Sequence, residues 1–262
     1  MNSSRNDSAE AAYFRDHVNP TVANILSLLR LDRHYVRGEG SLLYDADGRR
    51  HVDFVAGYGA VAFGHGPAFL DAALHDHLTR REPGLVQPSV LGPAARLARR
   101  LTELAPAGLT YAWFSNSGAE AVEAALKACR AATGRPGVVY TQRSFHGKTL
   151  GALSATGAEK YQQPFFARLP DYHAVPYGDL AALRTLLAER AAAIACVILE
   201  PIQGEGGIVV PPDGYLRGVR ELCDRHDVLL VLDEVQTGPT TSSTWTHGGA
   251  FITSAAPTTC SR

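Results

Sequence analysis

The sequence contains little sulfur and no long apolar run. Its 262 residues include four cysteines and one methionine. The cysteines are scattered, without a Cys-x-x-Cys pair, so we expect a reduced, cytoplasmic chain rather than a disulfide framework. No apolar stretch approaches the ~18 residues of a membrane span, and the polar N-terminus has no apolar signal region. We therefore predict a cytoplasmic protein without a membrane partner.

An excess of charge of one sign is also absent. The formal net charge is −1 and no cluster of lysines and arginines occurs, which argues against a nucleic-acid partner. Lysine itself is rare: Lys127, Lys148 and Lys160 are the three lysines, against 22 arginines. The hydrophobic fraction of 45% is typical of a globular protein with a sizeable core.

The pattern along the chain predicts four parts. These are a disordered N-terminus (1–10), an N-terminal segment of a helix and a hairpin (11–66), an α/β domain (67–238) and an atypical Ser/Thr-rich tail (239–262). The helix is expected within 11–31, interrupted by Pro20, and the hairpin around the turn Asp45-Ala46-Asp47-Gly48.

Within the α/β domain, strands are predicted to alternate with helices, which favours a mostly parallel sheet with flanking helices on both faces. The strands are expected at 110–114, 137–141, 172–175, 194–199 and 228–232, and the helices at 67–80, 91–104, 118–132, 179–190 and 214–226. If the sheet stops after 228–232, that strand should have an unpaired edge and the chain should aggregate. Ligands of such sheets bind at the carboxyl ends of the strands.

The first of four notable strand ends is the turn from Ser115 to Gly118, which leads into a strong helix. Free backbone N–H groups and the helix dipole suit a phosphate there. An ordinary capping box, with Ser117 as the N-cap and Glu120 at the third helical position, explains the same residues. The sequence leaves both interpretations open.

The second and third strand ends carry an aromatic residue and carboxylates. Phe145 and His146 precede Gly147 just after a strand; Phe145 suits stacking on a flat ring, and equally an ordinary packed loop. Glu200 ends a buried strand, and Glu205 follows in a Gly-rich loop that could be a plain connection. Burying the Glu200 charge costs several kcal/mol unless a partner is present.

The fourth strand end is Asp233, which follows five apolar residues, Val228 to Leu232. An unpaired carboxylate would be strongly destabilising at this position. No lysine or arginine is close in sequence, so we expect a cationic ligand. A phosphate cradle, a stacking aromatic residue and a carboxylate for a protonated ring nitrogen are together what pyridoxal 5'-phosphate requires.

Four segments make a more specific pattern: "FSNSGAEAVEAALK", "SFHGKT", "EPIQGEGG" and "LDEVQTG". With them the chain resembles the class III pyridoxal-phosphate-dependent aminotransferases of the ornithine, acetylornithine and putrescine type, from about residue 18 to 238. The resemblance implies the α/β fold of fold type I PLP-dependent transferases, incomplete at the C-terminus. It also implies a homodimer, with a small-molecule amine donor and a 2-oxo acid acceptor as substrates.

The resemblance also implies roles for individual residues. The cofactor phosphate would be held by Ser117, Gly118 and Ala119. Phe145 would stack on the ring, with His146 beside it, and Asp233 would pair with the ring nitrogen. Val235 would pack on the opposite ring face and Gln236 would approach the ring hydroxyl. The substrate would meet Glu205, with Glu200 in support, and Lys148 stands where acetylornithine-type enzymes carry an arginine. No metal ligand is implied.

The family's catalytic lysine follows the "DEVQ" motif by a few tens of residues, whereas all three lysines here precede Asp233. We therefore expect a C-terminally truncated aminotransferase that is inactive alone. The alternative is a non-catalytic protein that binds the cofactor or pairs with a full-length relative. A nucleotide-binding dehydrogenase is disfavoured, because "NSGAEA" is not the G-x-G-x-x-G fingerprint.

Overall fold

The computed structural model describes residues 9–86, 88–106 and 108–238, and the backbone of 249–252. The chain forms two compact units, Met1–Gly84 and Leu85–Arg262. The boundary expected from the sequence, between residues 66 and 67, stays a prediction. Among the described residues, no helix is both long and apolar enough to cross a bilayer.

The first unit combines short helices with a small antiparallel sheet in the order β1-β2-β3. Its elements are α1 (Ala9–Tyr13), a π-helical turn (Phe14–Val18), α2 (Pro20–Leu28), β1 (Tyr35–Glu39), β2 (Leu42–Asp45), β3 (Arg50–Val52) and α3 (Ala68–Arg80). Of the predicted disordered residues 1–10, only Ala9 and Glu10 are described, and they begin α1. Asn19 accepts a hydrogen bond from the Val22 N–H and starts α2 directly before Pro20, where a proline is tolerated.

The predicted hairpin is confirmed as β2 and β3. The Asp45 Oδ1 atom accepts hydrogen bonds from the N–H groups of Asp47 and Arg49, and Gly48 has a φ of +78°, which glycine adopts without strain. Strand β1, which pairs with β2, was not predicted.

The second unit contains a five-stranded sheet in the order β5-β4-β6-β7-β8, and all its neighbouring strands are parallel. The strands are β4 (Gly137–Thr141), β5 (Tyr172–Val175), β6 (Ile194–Leu199), β7 (Leu229–Asp233) and β8 (Gly249–Ile252). The helices are α4 (Gly92–Leu104), α5 (Gly118–Thr133), α6 (Leu150–Ser154), α7 (Glu159–Gln162), α8 (Leu180–Arg190) and α9 (Tyr215–Arg225), with short 3-10 turns at Gln163–Phe165 and Ala191–Ala193. The predicted alternation of strands and helices is confirmed.

The core lies on both faces of this sheet, because successive strand residues point to opposite sides. In β6, Val197 and Leu199 belong to one cluster, while Cys196 and Ile198 belong to the other. The first cluster also contains the buried apolar residues of α8 and α9, and the second those of α5. The strands are therefore covered by apolar helix faces, and polar residues are left to the strand ends.

Two predictions about strands are wrong. Residues 110–114 form no strand, and Tyr111 and Trp113 are 74% and 64% exposed; a β-prone segment needs a neighbour to bond with, and none pairs with it in the described parts of the chain. The far edge of β7 is paired, because Gly249–Ile252 of the predicted tail forms β8 beside it. The remainder of that tail lies outside the described residues.

Candidate functional site

The sheet order brings three of the predicted strand ends together. Strands β4, β6 and β7 are direct neighbours, and in a parallel sheet their carboxyl ends lie at one edge. The segments that follow them begin at Gln142, Glu200 and Glu234 and contain the aromatic, acidic and "DEVQ" motifs. Residues more than 80 positions apart in the sequence therefore meet at this edge.

Asp233 is buried at the end of β7, and its carboxylate meets His146. The His146 Nδ1 atom is 2.7 Å from Asp233 Oδ2, and the two side chains are 0% and 5% exposed. Asp233 Oδ1 accepts a hydrogen bond from the Val235 N–H. Because a carboxylate accepts, Nδ1 is the donor in this contact. The sequence predicted that the buried Asp233 carboxylate needs a partner, and one such partner is His146 of the same chain.

The other imidazole nitrogen, His146 Nε2, is buried and has no hydrogen-bond partner among the described residues. Buried polar atoms are nearly always satisfied, so this nitrogen has room for a partner such as an ordered water or a ligand. The main-chain N–H of His146 donates to the Thr156 hydroxyl, which also donates to the Gly147 carbonyl. The hydrogen bond from the His146 backbone to Thr156 thereby helps to keep the imidazole ring beside Asp233.

The start of α5 contains the predicted capping box in a modified form. The Ser117 Oγ atom accepts from the Glu120 N–H, while the Glu120 carboxylate accepts from the Asn116 N–H rather than from that of Ser117. Within the described chain, the N–H groups of Gly118 and Ala119 have no acceptor, as expected at a helix N-terminus. The capping interpretation is therefore correct, and it leaves two N–H groups available to an anion.

Close contacts at two glycines join this helix start to the strand ends. A Cβ atom on Gly118 would lie 3.2 Å from Val235 Cγ2, and one on Gly147 would lie 2.6 Å from Ala119 Cβ. Gly147 also has a φ of +128°, which L side chains rarely adopt. The helix N-terminus, the "FHG" segment and the segment after β7 therefore form one compact group.

Glu200 links the ends of β4 and β6. Its carboxylate accepts from the N–H groups of Phe145 and Gly204. Burial raises the pKa of Glu200 above its usual value, although His146 and these two N–H groups act in the opposite direction. Glu200 thus positions the backbone of the predicted stacking residue, Phe145.

The more open side of this group contains Phe145, Glu205 and Lys148. The Phe145 ring meets the edge of Tyr161, with ring centroids 6.2 Å apart, and the Tyr161 hydroxyl donates to Glu205 at 2.7 Å. Lys148 lies 5.6 Å from the Tyr161 ring centroid. Tyr161 was missed from the sequence, because its short helix α7 has neither a motif nor a useful periodicity.

Gln236 is exposed and lies beside the Gly204 backbone, since a Cβ atom on Gly204 would be 3.4 Å from Gln236 Cγ. With this contact, each residue predicted for the site belongs to a connected set around the ends of β4, β6 and β7. Their individual roles stay predictions.

The residues present fit pyridoxal phosphate. Two N–H groups at the start of a 16-residue helix suit its phosphate, and the buried Asp233 suits a protonated ring nitrogen. Glycine at 118 and 147 lets the start of α5 approach the "FHG" segment and Val235 closely, which brings these groups to one place. The unsatisfied His146 Nε2 atom is a further polar group available at the same place.

Comparison with known proteins agrees with this arrangement. The family model described as "Aminotransferase class-III" matches residues 28–251.

The chain belongs to the class III aminotransferase family.

Members of this family depend on pyridoxal phosphate and have the fold of type I PLP-dependent transferases. The chain is 45% identical over 226 residues to aminotransferase PigE from a Serratia strain, an alignment that covers 86% of the chain and 26% of PigE. It is similar to the ornithine aminotransferase of Toxoplasma gondii, with a TM-score of 0.76 and 29% identity. That match covers 87% of the chain and 53% of the ornithine aminotransferase. An (S)-enantioselective omega-transaminase from Thermomicrobium roseum is also similar, with a TM-score of 0.82 and 29% identity. That match covers 99% of the chain and 67% of the omega-transaminase. The chain thus spans about a quarter of PigE and about half of the ornithine aminotransferase.

Proposed function

We propose that this chain is the cofactor-binding part of a pyridoxal-phosphate-dependent aminotransferase. The reaction would transfer an amino group from an amine or ω-amino donor to a 2-oxo acid. The observation that carries the proposal is the buried His146–Asp233 pair, which lies among the segments that join the α5 N-terminus to the ends of β4, β6 and β7.

Each part of the cofactor has a counterpart in the chain. The N–H groups of Gly118 and Ala119, with the Ser117 hydroxyl beside them, bind the phosphate through the positive end of α5. The rings of pyridine cofactors are flat, and Phe145 on one side and Val235 on the other restrict such a ring to one plane. Gln236 approaches the ring hydroxyl.

Asp233 holds a proton on the ring nitrogen, and His146 keeps the Asp233 carboxylate in one orientation through the 2.7 Å contact. The chemistry that the bound cofactor supplies is withdrawal of electrons from the substrate carbon that carries the amino group. Glu205 and Lys148, on the more open side, bind charged groups of the substrates. Glu200 contributes indirectly, because its carboxylate holds the Phe145 backbone beside these two residues. We also propose a homodimer in the cytoplasm, as for the family.

Every lysine of the 262 residues precedes Asp233. Lys127 is exposed on α5, and Lys148 and Lys160 flank Tyr161. We propose that none of them is the catalytic lysine, so that this chain holds the cofactor without a covalent bond and has no turnover alone. A second candidate is therefore a non-catalytic protein of the same fold that binds the cofactor or pairs with a relative.

Equilibrium dialysis with pyridoxal phosphate tests the site directly. We expect one cofactor per chain, weakened at least tenfold in Asp233→Ala and unchanged in Asp213→Asn, which alters an exposed carboxylate. Equal binding by the wild type and Asp233→Ala would refute the site.

Borohydride reduction and an activity assay test the absence of turnover. After reduction and dialysis, mass spectrometry should show no cofactor mass that is specific to the wild type relative to Asp233→Ala. Incubation with an amine donor, pyridoxal phosphate and 2-oxoglutarate should give no steady formation of glutamate. Steady formation would refute the proposed absence of turnover, and it would also disprove the non-catalytic alternative.

A further inference from the structure

Tyr161 connects two segments that the family motifs do not link. It lies in α7 and is half-buried, whereas its hydrogen-bond acceptor, Glu205, is exposed in the loop after β6 and 44 positions away in the sequence. The donor–acceptor distance of 2.7 Å is that of a well-formed hydrogen bond between a hydroxyl group and an oxygen acceptor. The Glu205 side chain is thereby tied to a residue outside its own loop.

The loop that carries Glu205 has restraints of its own at the backbone. Gln203 and Val209 exchange two main-chain hydrogen bonds, and the N–H groups of Gly207 and Ile208 donate to the Gly204 carbonyl. These bonds fix the loop backbone but leave the Glu205 side chain free to rotate at the surface. The bond from Tyr161 is the interaction that selects one orientation of the carboxylate.

The Tyr161 ring is itself held in place by three neighbours. Its edge contacts Phe145 at 6.2 Å between centroids, with an angle of 79° between the rings. Lys160 and Lys148 lie 4.6 Å and 5.6 Å from its centroid, within the range of a cation–π attraction. Phe145 in turn is anchored by its N–H to Glu200. The orientation of Glu205 is thus coupled to the residue that would stack on the cofactor.

We propose that Tyr161 is a positioning residue that holds the Glu205 carboxylate beside Phe145, so that the site presents one oriented anion to a ligand that carries a primary ammonium group. This inference rests on the proposed function. It assigns the amine preference of the site to a hydrogen bond from α7 rather than to Glu205 alone.

Two cofactor forms that differ in one group provide the test. Pyridoxamine 5'-phosphate carries an aminomethyl group where pyridoxine 5'-phosphate carries a hydroxymethyl group, and their affinities for the full chain can be measured by equilibrium dialysis. In Tyr161→Phe the ring stays and the hydroxyl is lost. We expect a loss of about fivefold in affinity for the amine, the factor that corresponds to one hydrogen bond, and a change below twofold for the alcohol.

Further variants separate orientation from charge. Glu205→Gln should weaken amine binding to a similar degree, and adding Tyr161→Phe to it should have little further effect. Tyr111→Phe, which removes the hydroxyl of a tyrosine that is 74% exposed, should change neither affinity. Hydrogen exchange of the 203–209 amides should rise in Tyr161→Phe, while that of β4 and β6 stays unchanged.

The outcomes distinguish this inference from the function on which it rests. If neither ligand binds the wild type, both are overturned. If both bind and Tyr161→Phe weakens them equally, or weakens neither, the positioning role is overturned and the cofactor site stands. An effect of Tyr161→Phe that persists at full size in Glu205→Gln would also overturn it.

Discussion

Replacing His146 with alanine removes the side chain that contacts the Asp233 carboxylate. Asp233 is 5% exposed and would keep one hydrogen bond, from the Val235 N–H. Removing a hydrogen-bond partner of a buried charged group costs about 3 kcal/mol, because the carboxylate keeps its charge and loses a donor. For a unit of this size, 1 kcal/mol corresponds to about 2–4 °C in Tm. We therefore expect Tm to fall by about 6–12 °C.

Asp233→Asn should behave differently, although it changes the other partner of the same pair. The asparagine carbonyl can accept from the Val235 N–H, and its amide group can donate to His146 Nδ1 once the imidazole proton has moved to Nε2. Both hydrogen bonds are then retained without a buried charge. We expect a change in the free energy of unfolding of less than about 1 kcal/mol, together with weaker binding of pyridoxal phosphate.

Thermal and urea unfolding of the purified chain, followed by circular dichroism, measures these differences. The double variant His146→Ala/Asp233→Asn should be more stable than His146→Ala, because it removes the uncompensated charge. The reasoning is refuted if Asp233→Asn lowers the free energy of unfolding as much as His146→Ala does. It is also refuted if the double variant is less stable than His146→Ala by about the loss that His146→Ala itself causes.

Three other changes test the surroundings of the site. Gly147→Ala should weaken pyridoxal phosphate binding more than tenfold, since its Cβ would collide with Ala119. The control is Gly134→Ala, at a helix end where φ is positive and the surrounding space is open. It should cost about 1 kcal/mol of stability and leave binding unchanged. Similar binding by the two variants would contradict the close contact. Burial raises the pKa of Glu200 in the folded chain, so the free energy of unfolding should fall as pH rises from about 4.3 through the raised pKa. Glu200→Gln should reduce this dependence of stability on pH. An unchanged dependence, measured by urea unfolding at several pH values, would count against this. Ser117→Ala should cost about 1 kcal/mol by loss of the N-cap, and equal Tm values for variant and wild type would contradict that role.

Much of the second unit could be predicted from the sequence because its local signals agree with its tertiary structure. Strand β6 is uniformly apolar and β7 is apolar up to Asp233, and the α5 cap combines a serine with a glutamate at the expected spacing. The failures occur where the outcome depends on distant pairing. The segment 110–114 has strong β-propensity but no strand beside it in the described residues, whereas β8, which the sequence pattern did not predict, pairs with the edge of β7.

The site shows the same division between local and distant information. Asp233 could be identified because a carboxylate at the end of an apolar strand needs a partner. That the partner includes His146 could not be derived, because no periodicity relates residues 87 positions apart. Tyr161 escaped prediction for the same reason, since its importance comes from contacts with Phe145 and Glu205 and not from its neighbours in the chain.

The separation of 87 positions between His146 and Asp233 also fixes a sequence of events during translation. At a synthesis rate of about 5–20 residues per second, His146 precedes Asp233 by roughly 4–17 s. During that interval β4 and β6 can emerge and pair, but the strand that completes the acidic end of the site does not yet exist. A nascent chain that does not yet contain Asp233 lacks the carboxylate proposed to hold the ring nitrogen, so cofactor capture through that atom can begin only after β7 has been synthesised.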